Sequence, residues 1–352
     1  MSSTMKRSVD PAITRTTARM ADGRELIYFD ETPDAPRVLA DERDLPAVIH
    51  GSQVRYDAIT GEWVGIAGHR QTRTYHPPTN ACPLCPSTPT NASEIPSPDY
   101  DVVVFENRFP SFSGAGPVAR DGTLFDARDG NGRCEVVSFT SDHNATLSRL
   151  PVSRMQTVIA AWTDRTAALS ARPGVEQVFC FENRGVEIGV TLAHPHGQIY
   201  GYPFVTPKTA AAIRSAKEYR EKTGGNLFGD VVTGELSDGS RIVSQNTNWV
   251  AFVPFAARWP VEVHLYPRQQ RADLTDLTDP ERRDLAVLYL DVIRRMEGVF
   301  DDSLPAITGV HQAPVHTDQD DYWLHLEVFS IRRAVGRLKY LAGSESAMGA
   351  FV

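Results

Sequence analysis

Apolar and polar positions alternate along the chain in two series, each of which predicts strands, a helix and further strands. In the first series, short β-branched and aromatic runs at Val102–Phe105 and Glu135–Phe139 have the length and composition of buried strands. Apolar residues then recur at helical spacing over Ser153–Ser170, which predicts an amphipathic helix. Two more strands are predicted at Gln177–Phe181 and Gly189–Leu192.

The second series repeats this order. Trp249–Pro254 and Val261–Tyr266 predict strands, and Thr278-Asp279-Pro280-Glu281 has the capping residue, the proline and the acidic residues of a helix start. Strands near Ile307–His311 and Tyr322–Phe329 close the series. The repetition predicts an internal duplication, and chance similarity between two mixed segments is the alternative.

Two local matches support the duplication. Glu135–Phe139 matches Glu262–Tyr266 before each helix, and His194-Pro195-His196 matches His325-Leu326-Glu327 after it. The second match places Glu327 at the position equivalent to His196. Only the first half can therefore use a histidine at this position.

Composition narrows the class of protein. At 352 residues, with 41% hydrophobic and 23% charged residues, the chain can bury one large core or two medium ones. We divide it into an N-terminal arm (1–45), a first half (46–205) and a second half (206–352). A net charge of −8 argues against a nucleic-acid-binding surface, and no apolar run is long enough to span a membrane. Residues 1–10 lack a signal-peptide core, so we expect a cytoplasmic protein.

The segment His194-Pro195-His196-Gly197-Gln198 carries the most specific chemical signal. Residues two apart point to the same side of an extended chain, so both imidazoles can serve one site. The proline between them stiffens the backbone, and the glycine after them lets a phosphate approach closely. One histidine can be held as a ligand while its neighbour is presented as a nucleophile.

Cys82-Pro83-Leu84-Cys85 predicts a metal site. Four cysteines are too few for a disulfide scaffold, although redox pairs and plain loops share the Cys-x-x-Cys spacing. Without a second such pair, histidines must complete the site, and His143 and His194 are the natural candidates. Zn²⁺ favours such a set of two cysteines and two histidines. Four protein ligands leave no open position, so we expect a structural zinc that fixes His194.

His196 is then the candidate nucleophile. A neutral imidazole can attack an α-phosphorus and form a phosphoramidate, which divides a transfer into two in-line displacements. Its Nδ1 must donate to a backbone carbonyl so that Nε2 keeps the lone pair. Gln198 points to the same side, and its amide can bond a phosphoryl oxygen without offering a proton for hydrolysis.

Together with further motifs, these residues resemble the galactose-1-phosphate uridylyltransferase family, the transferase branch of the histidine-triad superfamily. The resemblance covers about Arg55 to Gly349. Its first-half motifs are Arg55-Tyr56, Thr60-Gly61-Glu62-Trp63, His69-Arg70, Arg73, Cys82-x-x-Cys85, Phe105-Glu106-Asn107, Ser141-Asp142-His143, Phe181-Glu182-Asn183 and His194-Pro195-His196-Gly197-Gln198. Its second-half motifs are Trp259-Pro260-x-Glu262, His311-x-Ala313-Pro314 and Trp323-x-His325. The resemblance implies an α+β fold of two histidine-triad-like halves, each an antiparallel sheet with a covering helix.

The resemblance also implies an activity. In such enzymes UDP-glucose gives its uridylyl group to the histidine equivalent to His196, and galactose 1-phosphate collects it in a ping-pong exchange of galactose metabolism (the Leloir pathway). It implies Cys82, Cys85, His143 and His194 as zinc ligands. The residues that it implies for substrate binding are Arg70, Arg73, Asn107, Asn183, Gly189, Thr191 and Lys339. The family forms homodimers, in which the two arginines can reach the neighbouring subunit's site.

One departure concerns a second metal site that many family members carry in the second half. His311 and His325 match its ligands, but Glu327 stands where a histidine is usual, and Ala212 stands where a glutamate would fall. His311, His325 and Glu327 can still hold Zn²⁺ or Fe²⁺. The sequence leaves the occupancy of this site open.

Two rival functions follow from the same residues. A related nucleotidylyltransferase or phosphorylase acting on another sugar nucleotide, such as ADP-glucose, would use identical chemistry at the α-phosphorus. The non-enzymatic rival is a zinc-stabilised nucleotide-binding module without catalysis. The presence of His196, Gln198 and Asn183 argues against it. Competition between UDP- and ADP-sugars would separate the two enzymes.

Overall fold

The computed structural model describes residues 13–47, 51–68, 77–114, 122, 124–300 and 304–351. Its strands are β1 (Thr14–Arg19), β2 (Glu25–Asp30), β3 (Gln53–Asp57), β4 (Glu62–Ile66), β5 (Val102–Glu106), β6 (Ala127–Asp129), β7 (Arg133–Ser138), β8 (Gln177–Arg184), β9 (His196–Tyr202), β10 (Ile242–Gln245), β11 (Trp249–Phe252), β12 (Val261–Pro267), β13 (Ala306–His311), β14 (His325–Ser330), β15 (Arg332–Ala334) and β16 (Arg337–Leu338). Its α-helices are α1 (Val152–Ser170), α2 (Pro207–Thr223), α3 (Leu227–Asp238), α4 (Asp279–Glu297) and α5 (Gly343–Met348).

The chain forms two compact units. Unit 1 contains the described residues up to Val178 together with His194–Thr206, and unit 2 contains Phe179–Ala193 and the described residues from Pro207 onward. Among the described residues, no helix combines the length and the apolar character that a membrane crossing requires.

Unit 1 is an antiparallel sheet covered by one helix. Strands β1, β2, β5, β7 and β9 pair in that order, and α1 packs against β2, β5 and β9. Val102, Val103 and Val104 are fully buried because both faces of β5 are covered. Met155 and Ile159 of α1 are also fully buried, as the apolar spacing predicts. A separate three-stranded sheet has the order β4, β3, β6.

Unit 2 has the same design. Strands β13, β14, β12, β11 and β10 pair antiparallel in that order, and β8 pairs with the other edge of β13. Helix α4 packs against β10, β11 and β12. It begins with a capping box in which the Thr278 and Glu281 side chains each bond the other's backbone N–H, which confirms the predicted helix start.

The duplication is confirmed by the strand pairing. In each unit the strand before the long helix pairs with the second strand after it, β7 with β9 and β12 with β14. The predicted α+β fold of two antiparallel sheets with covering helices is therefore present in both units. Helices α2 and α3, which pack on each other in unit 2, belong to the connection between the two repeats.

The strand register corrects one of the two sequence matches. Ser138 lies opposite His196 in unit 1, and His264 lies opposite Glu327 in unit 2. If His196 and Glu327 are equivalent, Ser138 corresponds to His264. The match of Glu135–Phe139 with Glu262–Tyr266 is therefore wrong by one residue.

Side-chain direction supports this correction. Glu135 points toward α1, where Arg165 donates two hydrogen bonds to its carboxylate. Glu262 accepts a hydrogen bond from His264 at 2.9 Å, on the face that also presents Glu327. Because a one-residue shift moves a strand side chain to the opposite face, the two glutamates are not equivalent.

Two further segments differ from the predicted pattern. Gly189–Leu192 is not a strand, because Gly185 (φ 95°) and Gly189 (φ 83°) adopt left-handed backbone around a 3₁₀ turn at Val186–Ile188. Residues 14–30, assigned to the N-terminal arm, form β1 and β2 of the unit 1 sheet. Leu26 and Tyr28 are fully buried there, so part of this polar segment contributes to the core.

Candidate functional site

Two cysteines and two histidines of unit 1 converge on one point. Cys82 and Cys85 lie in a tight turn, closed by a hydrogen bond from the Cys85 N–H to the Cys82 carbonyl oxygen at 3.4 Å. His143 lies in the loop after β7, and His194 lies immediately before β9. All four ligand atoms lie within 4.8 Å of one another. The predicted grouping of these four residues is therefore present.

The distances place imidazole nitrogens against sulfur atoms. Cys85 Sγ is 3.4 Å from His143 Nδ1 and 3.6 Å from His194 Nδ1, and Cys82 Sγ is 3.9 Å from His194 Nδ1. Two thiolates and two imidazoles are the donor set that tetrahedral Zn²⁺ prefers. The four residues could thus hold one metal ion, and the donors present fit zinc.

His194 is held in the tautomer that a metal requires. Its Nε2 lies 2.7 Å from the Thr140 carbonyl oxygen, which can only accept, so Nε2 carries the proton and Nδ1 keeps its lone pair. The Tyr100 hydroxyl lies 3.1 Å from the same Nε2. Such partners orient metal-binding imidazoles in proteins. Burial lowers the pKa of His194 to about 4, which keeps the ring neutral.

The Cys85 thiol needs a nearby cation to lose its proton. Burial and the neighbouring Cys82 raise the pKa of Cys85 to about 12 when no cation is present. A bound divalent cation reverses this effect and deprotonates a coordinating thiol outright. The Cys85 thiol therefore stays protonated unless a metal binds.

His196 is the first residue of β9, and its ring is held by the backbone carbonyl group two residues earlier. Its Nδ1 lies 2.7 Å from the carbonyl oxygen of His194. Because a carbonyl accepts only, Nδ1 carries the proton and Nε2 presents a lone pair. Only Pro195 separates the two histidines, so the residue that can bind metal also supplies the carbonyl that orients His196.

Gln198 lies two residues further along β9, on the same face as His196. The Tyr200 hydroxyl donates to its carboxamide oxygen at 3.2 Å. This bond engages the oxygen, so the NH₂ group is the donor end of the side chain. His196 and Gln198 therefore place an imidazole and a carboxamide on one face of β9.

The predicted substrate-binding residues are distributed over both units. Asn107 follows β5 in unit 1, and its side-chain oxygen accepts from the Phe109 N–H at 2.9 Å. In unit 2, Asn183 lies on β8, while Gly189 and Thr191 lie in the loop before His194. Arg70 and Arg73 lie outside the described residues. The substrate contacts of all these residues stay predictions.

Lys339, the remaining predicted substrate-binding residue, is buried in unit 2. Its ammonium donates to the Arg258 carbonyl oxygen at 3.0 Å and lies 3.9 Å from a carboxylate oxygen of Glu345. It also lies 5.6 Å from the ring centre of Phe351. The ammonium thus connects the segment before β12 to the C-terminal helix α5.

A second cluster in unit 2 surrounds Glu327. His311 Nε2 lies 3.3 Å from one carboxylate oxygen, and His325 Nε2 lies 3.6 Å from the other. Three ligand atoms, from His311, His325 and Glu327, lie within 4.8 Å of one another. The Lys208 ammonium, however, already forms an ion pair with the Glu327 oxygen that faces His311.

Charge is balanced inside this second cluster. Burial opposes the charged form of Glu327, but His311, His325 and Lys208 outweigh it and hold the pKa of this carboxyl far below its ordinary value. Burial lowers the pKa of His325 to about 4 and also lowers the pKa of His311. The cluster therefore contains an ionised carboxylate, the Lys208 ammonium that pairs with it, and a His325 imidazole that burial keeps neutral.

Comparison with known proteins agrees with this two-part arrangement. Residues 43–206 match the model of the galactose-1-phosphate uridyl transferase N-terminal domain, and residues 212–343 match that of the C-terminal domain. The chain belongs to this family. It is therefore an enzyme of the nucleotidyltransferase class, and the resemblance found in its motifs is confirmed.

Relatives extend over most of the chain. A galactose-1-phosphate uridylyltransferase from Streptomyces lividans is 46% identical over 322 residues, which cover 89% of this chain and 86% of the relative. One from Thermotoga maritima is 33% identical and covers 85% of this chain and 93% of the relative. A solved uridylyltransferase structure superposes with a TM-score of 0.75 at 34% identity, covering 85% of this chain and 93% of that one.

An ADP-glucose phosphorylase from Arabidopsis thaliana shares the fold alone. It superposes with a TM-score of 0.63 at 20% identity, over 85% of this chain and 93% of the other. At this identity the likeness concerns the fold and not the substrate.

Sequence reasoning missed several residues that hold this family member's sites in place. Tyr100 bonds His194, Tyr200 bonds Gln198, and Lys208 pairs with Glu327. Tyr200 could have been found, because it is two residues from Gln198 on the same strand face. Tyr100 and Lys208 are 94 and 119 residues from their partners, and no local pattern marks such pairs.

Proposed function

We propose that this family member is a UDP-glucose–hexose-1-phosphate uridylyltransferase that works through a covalent uridylyl intermediate on His196. One observation carries the proposal, the 2.7 Å contact between His196 Nδ1 and the His194 carbonyl oxygen. In the neutral ring this contact places the proton on Nδ1 and the lone pair on Nε2, which is the form that a nucleophile needs. The family membership supplies the sugar-nucleotide and sugar-phosphate substrates.

The first displacement uses that lone pair. His196 Nε2 attacks the α-phosphorus of UDP-glucose, a nitrogen–phosphorus bond forms, and the bond to the bridging oxygen breaks. The electron pair of that bond leaves with glucose 1-phosphate. The Nδ1 proton stays on the hydrogen bond to the His194 carbonyl, which stabilises the positive charge that develops on the ring.

The second displacement is the reverse with a different acceptor. A phosphate oxygen of galactose 1-phosphate attacks the same phosphorus, and the nitrogen–phosphorus bond returns its electron pair to Nε2. UDP-galactose leaves and His196 is regenerated. The Gln198 NH₂ group is positioned to donate to a phosphoryl oxygen in both steps, and as an amide it supplies no acidic proton that would favour hydrolysis.

We propose zinc as the ion of the unit 1 site, held by Cys82, Cys85, His143 and His194. Bound there, it would be structural and would fix the segment that carries the His194 carbonyl. We further propose that Asn107, Asn183, Gly189, Thr191, Lys339, Arg70 and Arg73 bind the substrates, in a cytoplasmic homodimer that serves galactose breakdown through the Leloir pathway. The motif resemblance supports these assignments.

Intact-protein mass spectrometry tests the mechanism directly. We expect mixing with UDP-glucose to add one uridylyl group, and galactose 1-phosphate to remove it while water alone does not. Peptide mapping should place the group on His196. His196→Asn should abolish the adduct, whereas His316→Asn, which changes an exposed histidine of unit 2, should leave it unchanged.

Parallel samples with ADP-glucose show which nucleotide base the enzyme accepts in its sugar-nucleotide substrate. An adduct formed only from ADP-glucose would keep the covalent mechanism and change the substrate to the ADP-sugar rival. An enzyme that turns over UDP-glucose and galactose 1-phosphate without any adduct, or with an adduct on another residue, would overturn the role of His196.

A further inference from the structure

Glu327 is a buried carboxylate that needs a positive partner. Its side chain is 9% exposed, and two imidazole nitrogens lie within 3.6 Å of its oxygens. His325 Nδ1 lies 2.8 Å from the Trp323 carbonyl oxygen, so its proton is on that side and its Nε2 lone pair faces the carboxylate. A carboxylate that is buried to this extent requires a positively charged partner nearby.

His264 does not supply that charge. Its Nε2 lies 3.9 Å from Glu327 but only 2.9 Å from Glu262, with which it shares a hydrogen bond. Glu262 in turn accepts hydrogen bonds from the backbone N–H groups of Arg258 and Trp259. This neighbouring pair is satisfied within itself.

Lys208 does supply the charge. It lies in the first turn of α2, which contains no acidic residue, and its ammonium pairs with the Glu327 oxygen that also faces His311. A cation in the first turn of a helix is unfavourable, because the helix dipole is positive at that end. The position of Lys208 is therefore explained by Glu327 rather than by the stability of α2.

We propose that the Lys208 ammonium is the resident cation of the His311, His325 and Glu327 cluster, which therefore holds no metal ion. The ammonium uses the carboxylate oxygen that a metal bound between His311 and Glu327 would need. Ala212, one helical turn after Lys208, offers no further ligand atom. The duplicated halves have thus diverged: among the described residues, unit 1 groups four candidate metal ligands and unit 2 groups three.

Metal counting tests the proposal without any assay of activity. Full-length protein is incubated with excess Zn²⁺, freed of unbound metal by gel filtration, and analysed by inductively coupled plasma mass spectrometry. We expect wild type and Glu327→Gln to contain the same amount of metal per chain. Lys208→Met should contain one equivalent more, because it opens the Glu327 oxygen to the metal.

Lys217→Met is the matched control. Lys217 lies on the same helix, is similarly exposed, and pairs with Asp318 outside the cluster, so its loss should leave the metal content at the wild-type value. A wild type that loses one equivalent on Glu327→Gln would overturn the proposal. A Lys208→Met variant with the wild-type metal content would also overturn it.

Thermal unfolding in the presence of a chelator gives an independent readout. Lys208→Met should lower the midpoint, because it leaves Glu327 without its cation. The double variant Lys208→Met/Glu327→Gln should recover most of that loss, because the carboxylate is gone as well. If the double variant lowers the midpoint by the sum of the two single-variant effects, Lys208 and Glu327 do not interact directly.

Discussion

The Tyr200 hydroxyl donates a hydrogen bond to the carboxamide oxygen of Gln198, two residues away on the same face of β9. An amide side chain has two ends with opposite hydrogen-bonding roles, and this bond engages the oxygen end. Tyr200 is thus a positioning residue in the proposed mechanism, since it acts through Gln198.

Tyr200→Phe should lower kcat about 3- to 10-fold with little change in KM, which corresponds to the loss of one ordinary hydrogen bond of ~1 kcal/mol. Steady-state kinetics with UDP-glucose and galactose 1-phosphate check this. Tyr202→Phe is the control, because Tyr202 lies on the same strand and packs on the same ring, Phe112. An unchanged kcat in Tyr200→Phe would show that Gln198 is oriented by other contacts.

Tyr100→Phe should weaken metal binding in unit 1. The Tyr100 hydroxyl lies 2.6 Å from the Leu84 carbonyl oxygen and 3.1 Å from His194 Nε2, so it connects the cysteine loop to a histidine of the same site. Loss of such an outer partner costs about 10- to 100-fold in metal affinity. Competition with a chromogenic zinc chelator measures the change.

The comparison variant is Tyr28→Phe, which removes the hydroxyl of another buried tyrosine of unit 1, one that lies 3.5 Å from the Val38 carbonyl oxygen. Equal affinities of Tyr100→Phe and Tyr28→Phe would mean that the hydroxyl contributes nothing to the site.

Glu135 should make the stability of unit 1 sensitive to acid. Burial opposes its charged form, but Arg165 and Arg133 outweigh this and hold the pKa of Glu135 below its ordinary value of 4.5. A lowered pKa contributes stability above pH 4.5, and this contribution is lost as the pH falls through the folded-state value. Urea unfolding between pH 3 and 7 should therefore show a steep loss of stability at the acid end of this range.

Glu135→Gln should flatten this acid dependence and cost about 3 kcal/mol at pH 7, because it leaves the buried Arg165 without its main partner. Glu106→Gln is the contrast. Glu106 pairs with Arg133 but its side chain is 27% exposed, so its loss should cost ~1 kcal/mol or less. An acid dependence in Glu135→Gln that matches wild type would assign the effect to other carboxylates.

Thr278→Ala should destabilise unit 2 by about 1 kcal/mol, because it removes the side-chain cap at the start of α4. Thr278→Ser keeps the hydroxyl and should stay close to wild type. Chemical denaturation of the two variants measures the difference. If both lose stability equally, the threonine methyl group rather than the cap is responsible.

Local pattern predicted much of this molecule. The helical spacing over Ser153–Ser170 corresponds to α1, and the capping residues at Thr278 correspond to the start of α4. The four candidate metal ligands of unit 1 were proposed from residue type and spacing, because few other residues could complete a lone Cys-x-x-Cys pair. These features depend on neighbours in sequence or on a small choice of chemistry.

The features that sequence reasoning missed depend on distant partners. The match of Glu135 with Glu262 aligned two identical residues, whereas the register of β12 against β14 shifts that match by one position and reverses the face. Lys208 reads as surface charge on a helix until the fold brings Glu327 beside it. Pairing across strands and between elements is set by the whole fold, so the sequence pattern alone does not contain it.

The span of the unit 1 cluster has a consequence for biosynthesis. Cys82 and His194 are 112 residues apart, although their ligand atoms lie within 3.9 Å of each other. At about 5–20 residues per second, a ribosome needs roughly 6 to 20 seconds to travel from the first thiol to the last imidazole. During that interval the cysteine pair lacks at least one of its two histidine partners. An ion can therefore complete its coordination only after most of unit 1 has been synthesised. We expect metal binding to stabilise unit 1 late in its folding rather than to initiate it.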